Sequence, residues 1–241
     1  MNIGVIFAGG VGKRMHSKEK PKQFLELSGK PIIVHTIKHF EKCDDIDAVV
    51  VVCVEDWIDH FNKLVYKFRL KKVKKVVSGG ATGQLSIYNG LIAAKDLIGD
   101  EKAIVLIHDG VRPLINKELL SENIKCVQKN GSCITCAVVK ETIIEVNDDY
   151  SIKNIPDRAH SRVAKAPQSF WLDDILSVHN MAMESGRTDF IDSCSMMNYY
   201  GHKLHMIDGP YENIKITTPD DFYTMRAIIE AKENKQIYGL D

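Results

Sequence analysis

The chain alternates short apolar runs with longer stretches in which apolar residues recur every three or four positions. The runs at 3–8, 48–54, 103–107 and 132–139 are almost unbroken in Val, Ile, Ala and other small or apolar residues, the pattern of strands buried on both faces. A shorter run ends at Val77 and another covers 203–207. Helical spacing predicts helices over 31–40, 55–68 and 116–129 and from about Leu172, and another opens near Ser86. On 55–68 the residues Trp57, Phe61, Leu64, Val65 and Phe68 form one stripe. Thr218-Pro-Asp-Asp221 reads as an N-cap, a first-turn proline and two first-turn acids, so a last helix starts there and runs to about Glu233. The stretches 142–146 and 151–155 flank the turn-rich Asn147-Asp-Asp-Tyr150 and predict a hairpin. Ala166 to Phe170 reads only as the approach to the helix at Leu172. This alternation predicts an α/β fold: a doubly wound, mostly parallel, Rossmann-like sheet in a single domain, 1–241, with 140–160 as a protruding β-hairpin arm.

The first strand breaks into Ala8-Gly-Gly-Val-Gly-Lys-Arg14, and Lys22 follows in Lys20-Pro-Lys-Gln23. Glycines let a loop turn sharply and bring backbone N–H groups against a ligand, and the adjacent cations point to a phosphate. Two familiar phosphate loops fail on spacing. A dinucleotide fingerprint starting at Gly10 and Gly12 needs its third glycine at Met15. A P-loop ending at Gly12-Lys13 needs glycine at Phe7 and a hydroxyl residue at Arg14. A second polar cluster, His108-Asp-Gly-Val-Arg-Pro113, ends the run at 103–107. Open α/β sheets bind ligands at that edge. Asp109 there can hold a metal and Arg112 a phosphate, or the pair simply shapes a turn.

Charge and cysteine content narrow the classes. Lys plus Arg and Asp plus Glu are 32 each, so the net charge is zero. That gives no support for a nucleic-acid or membrane-surface binder. No apolar run nears the roughly 20 residues of a membrane span, and the N-terminus lacks a basic n-region. The six cysteines form no disulfide-like framework, so a reduced, cytoplasmic protein is expected. Cys133-Ile-Thr-Cys136 matches a redox or half-zinc spacing, but its apolar surroundings predict two small residues on a buried strand. His35 and His39, four apart on a predicted helix, are expected to pack rather than to bind metal.

Taken in order, these stretches resemble the CTP-dependent polyol-phosphate cytidylyltransferases. The motifs are Ala8-Gly-Gly-Val-Gly-Lys-Arg-Met15, Pro21-Lys-Gln23, Gly79-Gly80, Ser86-Ile-Tyr-Asn-Gly90, His108 to Pro113, Asp157-Arg158 and Asn213 to Asp220. They span most of the chain and are specific only jointly. The resemblance implies CTP held by Ala8, Gly9, Gly10, Gly12, Gly80, Ser86 and Asn89. It implies Arg14, Lys22 and Lys215 as catalytic cations and Asp109 beside Mg²⁺. The acceptor would meet Asp109, Arg112, Thr142, Arg158 and Asp192. It further implies a homodimer that exchanges its arms, so that Arg158 reaches the neighbour's site. Two branches share the pattern, one acting on 2-C-methyl-D-erythritol 4-phosphate in isoprenoid synthesis, the other on ribitol 5-phosphate in teichoic acid and capsule synthesis. Gly83 stands where the family usually has Arg. Lys165-Ala-Pro-Gln168 and Ile191-Asp-Ser193 stand where methylerythritol enzymes carry acceptor-side threonines. Glu55-Asp-Trp57, Val111 and Ile155 to His160 look more like the ribitol branch, which is therefore the expected one. A nicotinamide oxidoreductase, a UTP- or GTP-dependent nucleotidyltransferase and a non-catalytic nucleotide sensor are the competing classes.

Overall fold

The computed structural model describes residues 1–8 and 20–238, with no side-chain burial given for 232, 233 and 235–238. Its centre is a seven-stranded sheet in the order β11-β7-β10-β6-β1-β4-β5. The strands are β1 (Asn2–Ala8), β4 (Ala48–Cys53), β5 (Val73–Ser78), β6 (Ile104–Asp109), β7 (Ser132–Val138), β10 (Arg162–Trp171) and β11 (Met206–Asp208). Only β10 is antiparallel to its neighbours. Two short ribbons, β2 (Glu26–Leu27) with β3 (Lys30–Pro31) and β8 (Glu145–Val146) with β9 (Ile152–Asn154), lie outside it. The expected α/β architecture is therefore present, and β1 lies inside the sheet, registered against β4 and β6 (Ile3 opposite Ala48 and Val105).

Helices cover both faces, as continuous apolar strands require. On one face α1 (Ile32–Lys42), α2 (Ile58–Phe68) and α4 (Lys117–Asn130) pack over Ile6, Val49, Val51, Ile104 and Leu106. On the other, α3 (Gly83–Ile98), α5 (Leu172–Glu184) and α6 (Ser193–Tyr199) pack over Ile3, Val5, Val50, Val105 and Ile107. Alternate residues of one strand thus feed two different cores. Gly90 lets α3 lie directly on the sheet: a Cβ there would stand 2.7 Å from both Val5 Cγ1 and Val52 Cγ2. A third, smaller cluster joins Leu27, Ile32, Val111 and Leu114 to Ile216 and Met225. It seats α7 (Pro219–Tyr238) beside the C-terminal end of β6.

Several expectations need correction. Residues 162–171 form the ten-residue strand β10, not a mere approach to a helix. Its register shifts between Ala164 and Gln168, around Pro167, which has no N–H to give to a ladder. Its inward positions include Lys165, Gln168 and Ser169, each with a polar partner, so it lacks an apolar run. The seven-residue α6 was not anticipated; Asp192 and Ser195 close it with a capping box. The strand expected over 203–207 is Met206–Asp208. The helix after Pro31 starts at Ile32, and a 3-10 turn, Glu55–Trp57, precedes α2. Thr218 does cap α7, which runs past Glu233. Cys133 and Cys136 are buried on β7, with burial raising both thiol pKa values. His35 and His39 hydrogen-bond to the carbonyls of Leu27 and Pro113. The arm is the β8–β9 ribbon, shorter than the predicted hairpin.

The Gly90 contact yields a prediction. Gly90→Val should overpack the α3–sheet layer and lower unfolding stability by roughly 1–3 kcal/mol, read as a lower urea midpoint with an unchanged denaturant slope.

Candidate active site

The sheet reverses its winding between β1 and β6, which neighbour each other but are followed by chain leaving in opposite directions. That leaves a crevice at their C-terminal ends, the usual ligand position in such sheets. A cavity of about 270 Å³ lies there. Its sheet wall carries Phe7, Asp109, Arg112, Lys165 and Lys215, and its helical wall carries Gln84, Ile87, His179, Ser193 and Met196.

The cations are held by one carboxylate and by the strap of chain between β11 and α7, residues 209–218. Asp109, the last residue of β6, accepts from Arg112 Nε at 2.7 Å through one oxygen and from Lys215 Nζ at 2.6 Å through the other. Arg112 Nη1 donates to Asn213 O at 2.9 Å. Lys165 Nζ donates to Tyr211 O at 2.7 Å and Asn213 O at 3.2 Å. Asn213 Nδ2 in turn donates to Ala166 O at 2.6 Å, tying the strap to β10. Burial pushes the Asp109 carboxyl up, but Lys215 and Arg112 outweigh it and hold it at about 2. Burial, reinforced by Arg112, lowers the Lys165 pKa. Three cations converge on the edge of the cavity against Asp109 and, across it, Asp192. Such a surface favours an anion with several oxygens.

The described residues expected to meet the nucleotide lie around the end of β1 and the start of α3. Ala8 is buried, and its carbonyl accepts from Gln23 Nε2 at 2.6 Å, which docks the 3-10 turn Lys22–Phe24 against the end of β1 and places Lys22 there. Ser86 Oγ accepts from Gly80 N at 3.0 Å and donates to Thr82 O at 2.9 Å. Asn89 Nδ2 donates to Ser78 O at 3.1 Å. Ser86 and Asn89 thus fix the shape of the loop before α3. Gly83 is the first residue of α3 and lines the cavity, with open space where a side chain would stand. Gly9, Gly10, Gly12 and Arg14 lie outside the described residues.

Of the residues expected to meet the acceptor, Asp109, Arg112 and Asp192 line the cavity. Asp192 caps α6 and accepts from Gln168 Nε2 at 3.0 Å. Thr142 and Arg158 do not. Thr142 is exposed near the arm, and Arg158 lies past it in an exposed turn, with Nη1 3.4 Å from Lys140 O. Within one chain neither reaches the site. Sequence reasoning missed Lys165, Asn213 and His179 as site residues. A lone lysine between alanines in Ala164-Lys-Ala166 was the available signal for the first and the motif that opens at Asn213 for the second; nothing marked His179.

Among the described residues no group of three or more His, Cys, Asp or Glu could hold a metal. The donor chemistry fits magnesium only in its usual phosphate-bound form, which needs one or two carboxylates and leaves the rest to ligand oxygens. Asp109 and Asp192 are the carboxylates that line the cavity, and Asp109 is the one expected beside the metal.

Comparison with known proteins identifies the class. The family model described as "IspD: 2-C-methyl-D-erythritol 4-phosphate cytidylyltransferase" matches residues 3–231. A ribitol-5-phosphate cytidylyltransferase of Streptococcus agalactiae serotype III is 60% identical over 240 residues, covering 100% of both chains. A 2-C-methyl-D-erythritol 4-phosphate cytidylyltransferase of Clostridium acetobutylicum is 38% identical over 232 residues, covering 95% of this chain and 98% of its own. The crystal structure of 4-diphosphocytidyl-2C-methyl-D-erythritol synthase from Anaerococcus prevotii superposes with a TM-score of 0.82 at 27% identity, covering 95% of this chain and 96% of that one. The chain is thus a nucleotidyltransferase. It belongs to the IspD family of cytidylyltransferases.

The Asp109 clamp predicts how Lys215 behaves. Lys215→Ala should lower kcat on the order of 10²-fold or more while raising KM far less, because a cation that meets charge developing in the transition state acts there and not on bound substrate. Steady-state kinetics with CTP varied at saturating acceptor measure the split; a variant with near-normal kcat would remove Lys215 from the chemistry.

Proposed function

We infer that the chain transfers CMP from CTP to D-ribitol 5-phosphate, giving CDP-ribitol and pyrophosphate. The observation that carries the choice of acceptor is the full-length 60% identity to the Streptococcus agalactiae ribitol-5-phosphate cytidylyltransferase, against 38% to the methylerythritol enzyme. A polyol phosphate is the expected acceptor class, and CTP the donor.

The reaction is an attack by one phosphate oxygen of the acceptor on the α-phosphorus of CTP, with pyrophosphate leaving. Both reactants are anions, and no covalent enzyme intermediate is needed, so positioning and charge neutralisation carry the rate. Lys215, fixed by Asp109, meets the α-phosphate, with Lys22 and Arg14 on the triphosphate side. Arg112 and Lys165 line the acceptor entry. Their guanidinium and ammonium suit a phosphate dianion. Asp109 stays ionised far below neutral pH, so Lys215 keeps its partner throughout the working range. Asp109 would hold magnesium together with the phosphates of CTP, and the ion would supply charge neutralisation for the leaving pyrophosphate.

The arm supports a two-fold dimer. Ile144, Val146, Ile152 and Ile155 are each at least 50% exposed, and a two-stranded ribbon is marginal alone. A second copy covering these residues would bury its own arm in the same way. Arg158 and Thr142, stranded outside the cavity of their own chain, would then serve the neighbour's.

Two experiments test this reading. Pyrophosphate release should be strong with CTP and ribitol 5-phosphate, and weak when ATP replaces CTP or methylerythritol phosphate replaces the pentitol. Faster turnover of the methylerythritol substrate would reverse the acceptor assignment. Inactive Arg158→Ala and Lys22→Ala subunits, mixed and re-paired, should regain activity through heterodimers with one intact composite site. A fully active isolated monomer would exclude shared sites.

A further inference from the structure

The two walls of the cavity differ in kind. All three cations sit on the sheet and strap side, while the helical wall is built from α3, α5 and α6. Polar groups on that wall are mostly satisfied. Gln84 donates from Nε2 to Arg187 O at 2.9 Å and accepts from Phe190 N at 3.0 Å. Asp192 takes Gln168 and the backbone of Ser195. His179 and Ser193 are the exceptions. His179 is 1% exposed and Ser193 3%. Neither imidazole nitrogen has a hydrogen-bond partner, nor does Ser193 Oγ. No other cavity-lining residue among those described carries such an orphaned polar atom. The imidazole packs beside the Tyr88 ring, 5.7 Å between centroids, without a polar contact to it.

Buried polar atoms are rarely left without partners, and both residues line a cavity. We propose that His179 and Ser193 bind hydroxyls of the acceptor's carbon chain and set which polyol phosphate the enzyme accepts. Burial holds the imidazole pKa near 4, so the ring is neutral at working pH and offers one donor and one acceptor. A hydroxyl does both in return. A phosphate dianion only accepts and would leave one ring nitrogen unpaired. The phosphate therefore belongs with Arg112, Lys165 and Lys215, and the hydroxylated chain with His179 and Ser193. This inference rests on the polyol-phosphate reading above but does not require that the polyol be ribitol.

The test is a double comparison of protein and substrate. Ribitol 5-phosphate and its four monodeoxy analogues, lacking the hydroxyl at carbon 1, 2, 3 or 4, are compared by kcat/KM. The wild-type enzyme should reject at least one analogue by roughly 10-fold or more, because the lost hydroxyl leaves a buried group unpaired. In His179→Phe, of similar size but without polar atoms, that discrimination should fall to about 2-fold, with the KM for CTP unchanged. His179→Gln, which restores a donor and an acceptor, should recover part of it. Ser193→Ala should relax discrimination as well, and it carries the test if His179→Phe misfolds. Calorimetric Kd values for the same ligands give the comparison without turnover. Equal discrimination by wild type and both deletion variants would overturn the proposal and leave these groups to water. No turnover of ribitol 5-phosphate would instead overturn the choice of acceptor. The same comparison then runs on the deoxy forms of the polyol phosphate that does turn over.

Discussion

A single buried carboxylate organises the site. Asp109 ends β6 inside the fold and would be costly there if unpaired. It is stabilised because two cations reach it from different parts of the chain, Arg112 from the turn that follows and Lys215 from the strap before α7. The attraction therefore does two things. It keeps an anion in the sheet edge, and it binds the last part of the chain to the middle. Asp109→Asn would leave both cations without their counter-charge, a loss of the kind that costs about 3–5 kcal/mol when the remaining charge is buried. Arg112, with its side chain only 14% exposed, bears most of that cost, since Lys215 at 41% has water nearby.

The rest of the cavity follows from sheet topology and from where polar residues were placed. The switch between β1 and β6 opens the crevice, and α3 can lie close because Gly90 has no side chain. The antiparallel β10 completes the sheet wall. Its residues Lys165, Gln168 and Ser169 bind the strap, α6 and α4 respectively: Lys165 to Tyr211 and Asn213, Gln168 to Asp192 and Cys194, Ser169 to Asn123. A strand that is usually only a piece of core here acts as a polar hub between three layers.

This explains what the sequence revealed. The strands β1, β4, β6 and β7 were legible because burial on both faces writes an unbroken apolar run. Asp109 and Arg112 were legible because such a run ends abruptly in charge. β10 was not, because its buried side chains are polar and satisfied only by residues distant in sequence. α6 was not, because seven residues give too short a period to read. His179 resembled any residue of an amphipathic helix. Its environment depends on Tyr88 and on the cavity, which only the folded chain assembles. Arg158 and Thr142 were named from family likeness alone, and one chain does not bring them to the cavity.

The small cluster that seats α7 has a consequence for motion. Leu27, Ile32, Val111, Leu114, Ile216 and Met225 form a core of their own, apart from the two large ones on the sheet. Lys215 precedes Ile216 of that lesser core, with its own side chain 41% exposed. Elements held by few buried contacts open locally at a free energy below that of global unfolding. Local opening of this seat would carry Lys215 away from Asp109 while the two large cores stay packed. Hydrogen exchange along α7, and not the melting of the whole domain, would report such an opening.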